Sequence, residues 1–175
     1  MINKSRIEYI DSSVNEEFYE CVLSRRVNPQ AVSEAGLKLI YTPLNGTGNK
    51  PVREVLKRAG FGDVAVVPTQ ENPDGNFPTC PYPNPEIRQA FEEALKLAAD
   101  KDADLLLATD PDCDRVGIAV NNGGEYTLMS GNEVGVLLTE YVLSSMKDAG
   151  NLPERPAIAK SFVTTPLVTR VAESY

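Results

Sequence analysis

Three aspartates stand at alternating positions directly after an apolar run. Residues 109–115, which we call the acidic segment, read Thr-Asp-Pro-Asp-Cys-Asp-Arg and follow Leu-Leu-Leu-Ala. In an extended backbone the side chains of residues i, i+2 and i+4 point to the same side. Pro111 opposes helix and favours extension in the residue before it. The spacing therefore predicts that the aspartate triad, Asp110, Asp112 and Asp114, converges on one point.

Convergent carboxylates require a positive partner. Two of them about 4 Å apart repel by about 1 kcal/mol in water and by about 4 kcal/mol at an effective dielectric constant near 20. All-oxygen ligands suit a hard cation, Mg²⁺ or Mn²⁺ before Zn²⁺, and the chain contains no His. Arg115 adds a fixed positive charge that is useful for holding a phosphate beside the metal. The segment thus predicts a metal site suited to phosphate chemistry.

The acidic segment has two other interpretations. A cluster of aspartates after a strand can be a solvated loop without a ligand. An EF-hand loop starting at Asp110 is excluded, because it needs Gly where Arg115 stands and Glu where Asn121 stands. Cys113 is interpreted as a small filler residue, since the acidic neighbours would blunt its nucleophilicity.

Composition limits the classes of protein. The 175 residues, 42% of them hydrophobic, can bury one full core and begin a second. A net charge of −8 and a pI near 4.6 argue against a nucleic-acid surface. No apolar stretch is long enough for a membrane span, and residues 1–15 lack the apolar core of a signal peptide. Three scattered cysteines do not suggest a disulfide framework, so we expect a cytoplasmic protein.

The pattern along the chain predicts alternating helices and strands. A helix is expected over residues 14–27, and further helices begin with Pro51 at the first helical position and after a cap at Asn84. Strands are expected over residues 37–41, 64–67 and 105–108, and residues 116–120 and 126–129 form a hairpin around Asn-Asn-Gly-Gly. The connection over residues 68–85, the proline segment, holds six prolines and is long enough to be functional or mobile.

This succession predicts an α/β fold. We expect a three-layer sandwich with a mixed β-sheet between helices, and the acidic segment lies beyond the carboxyl end of a strand, where ligands gather in such sheets. A second unit begins near Ser130, which forms a capping box with Glu133. Its strand is predicted over residues 157–163, and Thr165-Pro166 opens a last helix. Because that helix stops without a cap, the chain is interpreted as ending inside a second, similar α/β domain.

Four segments together resemble one enzyme family. They are TDPDCDRVGIAV at residues 109–120, YTPLNGTGNKPVREVLKRAGF at 41–61, FPTCPYPNPE at 77–86 and SGNEVGVLL at 130–138. In order and spacing they are similar to the second domain and the opening of the third domain of the α-D-phosphohexomutases, the phosphoglucomutase and phosphomannomutase superfamily. The details are most similar to bacterial phosphoglucomutases. The resemblance implies that residues 1–129 are the metal-binding second domain and residues 130–175 the truncated start of the third.

The resemblance also implies roles for individual residues. Asp110, Asp112 and Asp114 match the aspartates that hold the catalytic Mg²⁺, and Arg115 matches the arginine that contacts the phosphoserine and the transferring phosphate. Family members interconvert hexose 1-phosphate and hexose 6-phosphate by phosphoryl transfer from a serine in a Ser-His-Asn-Pro-like loop. Because this chain has no His, that nucleophile is expected outside it and the isolated chain is expected to be inactive. The substrate-binding residues remain unknown, and the expected partners are a sugar phosphate and the remaining domains of the parent chain.

One position departs from the family pattern. Asn45 stands where related sequences commonly have His before Gly-Thr-Gly. The surrounding residues 42–49, the glycine turn, are interpreted as a structural turn that needs only its glycines. The Gly-Lys-Ser/Thr ending of a Walker loop is absent, which argues against a phosphate cradle.

Two other functions stay open at this point. A phosphatase of the haloacid dehalogenase kind also places aspartates after an apolar strand, although its nucleophilic Asp lies near the start of the chain. The third possibility is a non-catalytic acidic module that binds a cation or a partner protein.

Overall fold

A five-stranded mixed β-sheet forms the centre of the fold in the computed structural model, which describes residues 7–175. The strands are β1 (Lys38–Thr42), β2 (Asp63–Val66), β3 (Leu105–Thr109), β4 (Val116–Asn122) and β5 (Glu125–Met129). Their order across the sheet is β2-β1-β3-β4-β5. β1 pairs in parallel with β2 and β3, whereas β4 runs antiparallel to both β3 and β5. The predicted mixed sheet is confirmed.

Helices cover both faces of this sheet. After β2 and the proline segment, a short 3-10 helix (Arg88–Phe91) leads into α4 (Glu92–Lys101), whose Ala94 and Ala98 are buried in the core that also contains Ile40. The neighbouring strand residue Tyr41 points to the other face, since side chains alternate along a strand. Its hydroxyl lies there beside the start of α3 (Asn49–Ala59). The three-layer α/β sandwich is confirmed.

Two further helices precede the sheet, α1 (Ser12–Leu23) and α2 (Pro29–Ala35). α1 has no buried residue and packs against α3. Arg58 of α3 donates two hydrogen bonds to the Glu16 carboxylate, at 2.6 and 2.9 Å, and lies over the Tyr19 ring. A charged and aromatic contact therefore connects α1 to the sandwich.

The chain ends in two helices that pack on each other, α5 (Gly131–Asp148) and α6 (Pro166–Ala172). The predicted capping box is confirmed, because the Ser130 hydroxyl accepts from the Glu133 amide and the Glu133 carboxylate accepts from the Ser130 amide. Thr165 caps α6 through its side chain. Within residues 7–175, no helix combines the length and the apolar character needed to cross a bilayer.

Several predicted elements differ from the structure. The strand predicted over residues 157–163 was wrong: these residues form neither helix nor strand, and the Phe162 side chain is 97% exposed. No strand of the described chain pairs with them, and an unpaired strand is not stable alone. Pro51 is the third residue of α3 rather than the first. Asn84 caps only a turn, accepting from the Glu86 amide, and the 3-10 helix delays the start of α4.

Candidate metal centre

The aspartate triad is gathered by a tight turn. The Cys113 amide donates to the Asp110 carbonyl at 3.0 Å, and Cys113 has a positive φ of 65°. One carboxylate oxygen from each of Asp110, Asp112 and Asp114 lies within 4.8 Å of the others. The structure thus brings the three together, but the extended backbone from which we expected this was wrong. A turn between the antiparallel strands β3 and β4 places them instead.

Asp110 is the buried member of the triad, with 1% of its surface exposed. Its Oδ1 accepts from the amides of Asp114 and Arg115, at 3.1 and 2.9 Å, and its Oδ2 accepts from the Arg115 Nε at 2.7 Å. Burial alone would raise the pKa of Asp110, but the hydrogen bonds from Arg115 outweigh it and hold that pKa below its ordinary value. Asp110 therefore stays ionised and organises the turn around itself.

Asp112 and Asp114 are exposed. The pKa of Asp114 is raised, first by repulsion from Asp112 and then by its contact with Asp110. The Arg115 Nε lies 3.7 Å from Asp114 Oδ1, too far to offset that repulsion. A raised pKa here means that the folded turn holds excess negative charge, the condition a bound cation relieves.

The glycine turn presses directly against the acidic segment. The amide and the hydroxyl of Thr47 both donate to the Pro111 carbonyl, at 2.8 and 3.1 Å. A Cβ on Gly46 would lie 2.3 Å from the Pro111 Cα, and one on Gly48 would lie 2.6 Å from the Tyr41 hydroxyl. Any side chain at either glycine would push the two loops apart. The structure thus favours the structural interpretation of this turn.

Sequence reasoning missed the part played by Asn45. The positive φ angles of the turn belong to Leu44 and Asn45, at 48° and 57°, and not to its glycines. The expectation that this turn needs only glycines was therefore wrong. The buried Asn45 amide donates to the carbonyls of Thr69 and Asn72, at 3.3 and 2.8 Å. The residue type could have indicated this role, because Asn adopts a left-handed backbone more readily than most residues.

The proline segment forms the outer wall beside these loops. Its Gln70 is fully buried, accepts from the Thr42 hydroxyl at 2.6 Å and donates to the Thr79 hydroxyl at 3.0 Å. A Cβ on Gly117 would lie 2.0 Å from the Pro85 carbonyl oxygen, so β4 touches the end of the segment. These contacts fix the long connection against the carboxyl end of β1 and the start of β4.

The donor set fits a small hard cation. Two oxygen ligands on opposite sides of Mg²⁺ are about 4.2 Å apart, since each lies at about 2.1 Å. Only one pair among three ligands can be opposite, and neighbouring ligands are about 3 Å apart. The oxygens of the triad lie within 4.8 Å of one another, so they must move closer together around an ion. Asp112 and Asp114 are accessible to solvent, which leaves an entry path and positions for water. The site is all oxygen, as Mg²⁺ or Mn²⁺ prefers.

Comparison with known proteins agrees with this fold. Residues 16–124 match the family described as phosphoglucomutase/phosphomannomutase, alpha/beta/alpha domain II. Because the match covers more than half of the chain, the protein belongs to the phosphoglucomutase/phosphomannomutase family. These enzymes are isomerases, and the match does not favour the haloacid dehalogenase alternative.

Individual relatives are similar over nearly the whole chain. A phosphoglucomutase of Staphylococcus haemolyticus is 33% identical, over 99% of this chain and 31% of its own length. A phosphomannomutase of Mycoplasmoides pirum is 28% identical, over 98% of this chain and 31% of its own. A solved structure from Thermus thermophilus shares the fold with a TM-score of 0.67, at 24% identity over 95% of this chain and 35% of that one. The chain thus spans about a third of the length of these relatives.

Proposed function

We propose that this chain supplies the Mg²⁺-binding loop of an enzyme that interconverts hexose 1-phosphate and hexose 6-phosphate through a phosphoserine. One observation carries the proposal: three carboxylate oxygens lie within 4.8 Å of one another on a turn that Arg115 closes. The family match supplies the reaction class, because curated relatives are a phosphoglucomutase and a phosphomannomutase.

Asp110, Asp112 and Asp114 would hold the metal. Bound Mg²⁺ would supply positive charge that neutralises the phosphate oxygens during phosphoryl transfer. The chain's own contribution is a fixed turn. Asp110 is ionised and held by three hydrogen bonds, so its orientation is set before a cation arrives. Asp112 and Asp114 repel each other in the free protein, which favours the cation-bound state over the empty one.

Arg115 would contact the phosphate through its outer nitrogens. Its Nε is committed to Asp110, which orients the guanidinium and raises the pKa of Arg115. Within residues 7–175 the two terminal nitrogens of Arg115 form no hydrogen bond, and half of the side chain is exposed. Two parallel donors of this kind match the geometry of a phosphate.

The rest of the machinery would lie in other parts of the parent protein. We propose that residues 1–129 form the second domain and residues 130–175 the start of the third, with the nucleophilic serine and the sugar-binding residues outside this chain. The matched family region ends at residue 124 and the last strand ends at Met129, which supports that boundary. A sugar phosphate substrate and a cytoplasmic location belong to the same proposal.

Cation binding by the triad is the direct test. Thermal melts with and without excess Mg²⁺ or Mn²⁺ should show a rise in melting temperature for the natural chain, because a ligand of the native state adds RT ln(1 + [L]/Kd). Asp112→Asn should be as stable as the natural chain without metal and should gain less from it. The control Asp100→Asn, on the exposed side of α4, should gain as much as the natural chain. Equal gains in all three proteins would show that the cations act elsewhere.

Affinity tests the claim that further ligands lie outside the chain. Three carboxylates leave part of a six-ligand shell to water, so isothermal titration should find weak Mg²⁺ binding. Tight stoichiometric binding would contradict an incomplete site.

Catalysis tests the placement of the nucleophile. The isolated chain should not convert glucose 1-phosphate to glucose 6-phosphate with Mg²⁺ and glucose bisphosphate present. Turnover in a coupled assay above a metal-free blank would place the nucleophile inside these 175 residues.

A further inference from the structure

A second concave surface lies on the flank of α3. It is a groove of about 440 Å³ between this helix and the start of β2. We call it the basic groove; it is lined by Lys50, Arg53, Glu54, Lys57, Phe61, Gly62 and Val64. Its volume lies within the range of small-molecule sites, about 300–1,000 Å³. None of its residues belongs to the acidic segment.

Three cations share one side of the groove. Lys50, Arg53 and Lys57 are three and four positions apart, so they lie on one face of α3. In a chain with a net charge of −8 this is a local concentration of positive charge. Among residues 7–175 neither lysine forms an ion pair within 4.0 Å, so both ammonium groups are available to an anion.

Two acidic side chains near the groove are already paired with arginines. Glu54 lines the groove, but its Oε1 accepts from the Arg58 Nε at 2.7 Å. Glu71 accepts from one terminal nitrogen of Arg53 at 2.6 Å, and the same nitrogen donates to Asn49 at 3.1 Å. Within the described chain the other N–H groups of Arg53 form no hydrogen bond. The guanidinium is therefore held in place while keeping donors for a ligand.

The opposite side of the groove is apolar. Phe61 and Val64 supply apolar surface, and apart from the chain neighbours of Gly62 no atom lies within 4 Å of the position that a Cβ on it would take. An open glycine beside a phenyl ring leaves room for a planar group to stack on it. The groove thus combines a charged side for phosphate with an apolar side for a ring.

We propose that the basic groove binds a nucleotide-sized organic phosphate, with the phosphates at Lys50, Arg53 and Lys57 and the planar ring on Phe61. This goes beyond the proposed phosphoryl transfer, because it assigns a ligand to a surface apart from the aspartate triad. The groove runs along α3, whose first residue, Asn49, is the last residue of the glycine turn that contacts the acidic segment.

Titration of the 175-residue chain with ADP tests this assignment. EDTA in the buffer keeps the aspartate triad free of metal, so phosphate cannot bind through a cation there. We expect one ADP per chain by calorimetry, and amide shifts in NMR spectra at Phe61 and Gly62 rather than at Asp114. No binding at millimolar ADP, or shifts confined to the acidic segment, would overturn the proposal.

A double variant and a control variant test whether the lysines of the groove bind the phosphates. Lys50→Gln combined with Lys57→Gln should weaken ADP at least tenfold, while Lys101→Gln, an exposed lysine on α4, should stay within twofold of the natural chain. A thermal melt of each variant confirms that it is folded. Retained affinity in the double variant, or an equal loss in Lys101→Gln, would overturn the assignment.

Inorganic pyrophosphate tests the apolar side. It should bind more weakly than ADP, and Phe61→Leu should weaken ADP severalfold while leaving pyrophosphate unchanged. If pyrophosphate binds as tightly as ADP, the ring contact at Phe61 is refuted.

Discussion

Two regions of the molecule differ in how deeply their side chains are buried. They are the sheet unit, residues 38–129, and the terminal segment, residues 131–175. Phe91 in the sheet unit is 1% exposed, whereas Phe162 in the terminal segment is 97% exposed. All six buried polar residues of the described chain lie in the sheet unit: Thr42, Asn45, Asn49, Gln70, Thr109 and Asp110. In the terminal segment only Leu143 and Val168 are buried apolar residues.

The difference follows from what each region offers for packing. A sheet has two faces and allows helices to bury apolar residues from both sides. α5 and α6 have chiefly each other, so apolar side chains of α5 such as Leu137, Leu138 and Tyr141 remain half exposed. Buried polar groups are stable only where a rigid surrounding can satisfy them, and every one in the described chain has a hydrogen-bond partner. The candidate site therefore lies in the region whose packing keeps its side chains in fixed positions.

Removal of a phenyl ring should separate the two regions most strongly. Phe91→Ala is expected to cost about 3–5 kcal/mol of unfolding free energy, because it leaves a cavity in the core. Phe162→Ala should change that free energy by less than about 0.5 kcal/mol, as exposed positions do. Urea denaturation measures both. Similar losses at the two positions would mean that Phe162 is buried in solution.

Neutralising the buried aspartate should have the next largest effect. Asp110→Asn loses hydrogen bonds to a charged acceptor and should cost about 1.5–3 kcal/mol at pH 7. The pKa of Asp110 in the folded protein is below its ordinary value. The stabilisation from its carboxylate is therefore fully present above the unfolded pKa of about 3.9, and it is lost as the pH falls through the folded pKa.

The stability gap between Asp110→Asn and the natural chain should therefore close as pH falls from 7 to 2. Denaturation at a series of pH values, with Asp100→Asn as the exposed control, checks this. If the difference in unfolding free energy does not change with pH, the charge of the Asp110 carboxylate does not contribute to stability.

A methyl group at Gly46 tests the contact between the loops. Gly46→Ala would place its Cβ 2.3 Å from the Pro111 Cα, and overpacking of this kind is expected to cost about 1–3 kcal/mol. Since Pro111 lies between two members of the triad, the variant should also bind Mn²⁺ more weakly. Thermal melts and Mn²⁺ titration measure the two effects. Unchanged stability would mean that the loops separate freely.

A glycine-to-alanine substitution in the terminal segment should have the opposite sign and a smaller size than at Gly46. Gly135 lies inside α5, and apart from its chain neighbours and the nearby backbone of α5 no atom lies within 4 Å of the position that a Cβ would take there. Gly135→Ala should stabilise the chain by about 0.5–1 kcal/mol, because alanine loses less backbone entropy in a helix. A higher melting temperature is the expected readout, and a lower one would mean that α5 is packed closely at Gly135.

Local signals in the sequence predicted much of the fold. The hairpin of β4 and β5 and the capping box at Ser130 were predicted correctly, because each depends on residues close in sequence. The strand at residues 157–163 was wrong because a strand depends on a pairing partner, which apolar residues alone do not reveal. The start of α4 was also placed too early, because a 3-10 helix whose Ala90 and Phe91 are buried precedes it.

The candidate site was likewise predicted in part, from residues that are close in sequence. Residue types and spacing identified the aspartate triad and Arg115, and the structure brings these four together. The backbone that gathers them was not predictable, because Cys113 adopts a positive φ that its residue type does not suggest. The bond from Asn45 to Asn72 was also hidden, since it joins two loops that only the folded sheet brings into contact.

The parallel pairing of β1 with β3 has a kinetic consequence. Leu39 pairs with Leu105, so the chain must close a loop of more than sixty residues, about 4 kcal/mol of entropy in a flexible-chain approximation, before these strands meet. Long-range pairing of this kind slows folding relative to local hairpins. The glycine turn follows β1 and the acidic segment follows β3, so neither has its partner until that closure is complete. The contact between these two loops therefore forms only after the middle of the sheet has paired, whereas the turn that gathers the aspartate triad is local to the β3–β4 hairpin.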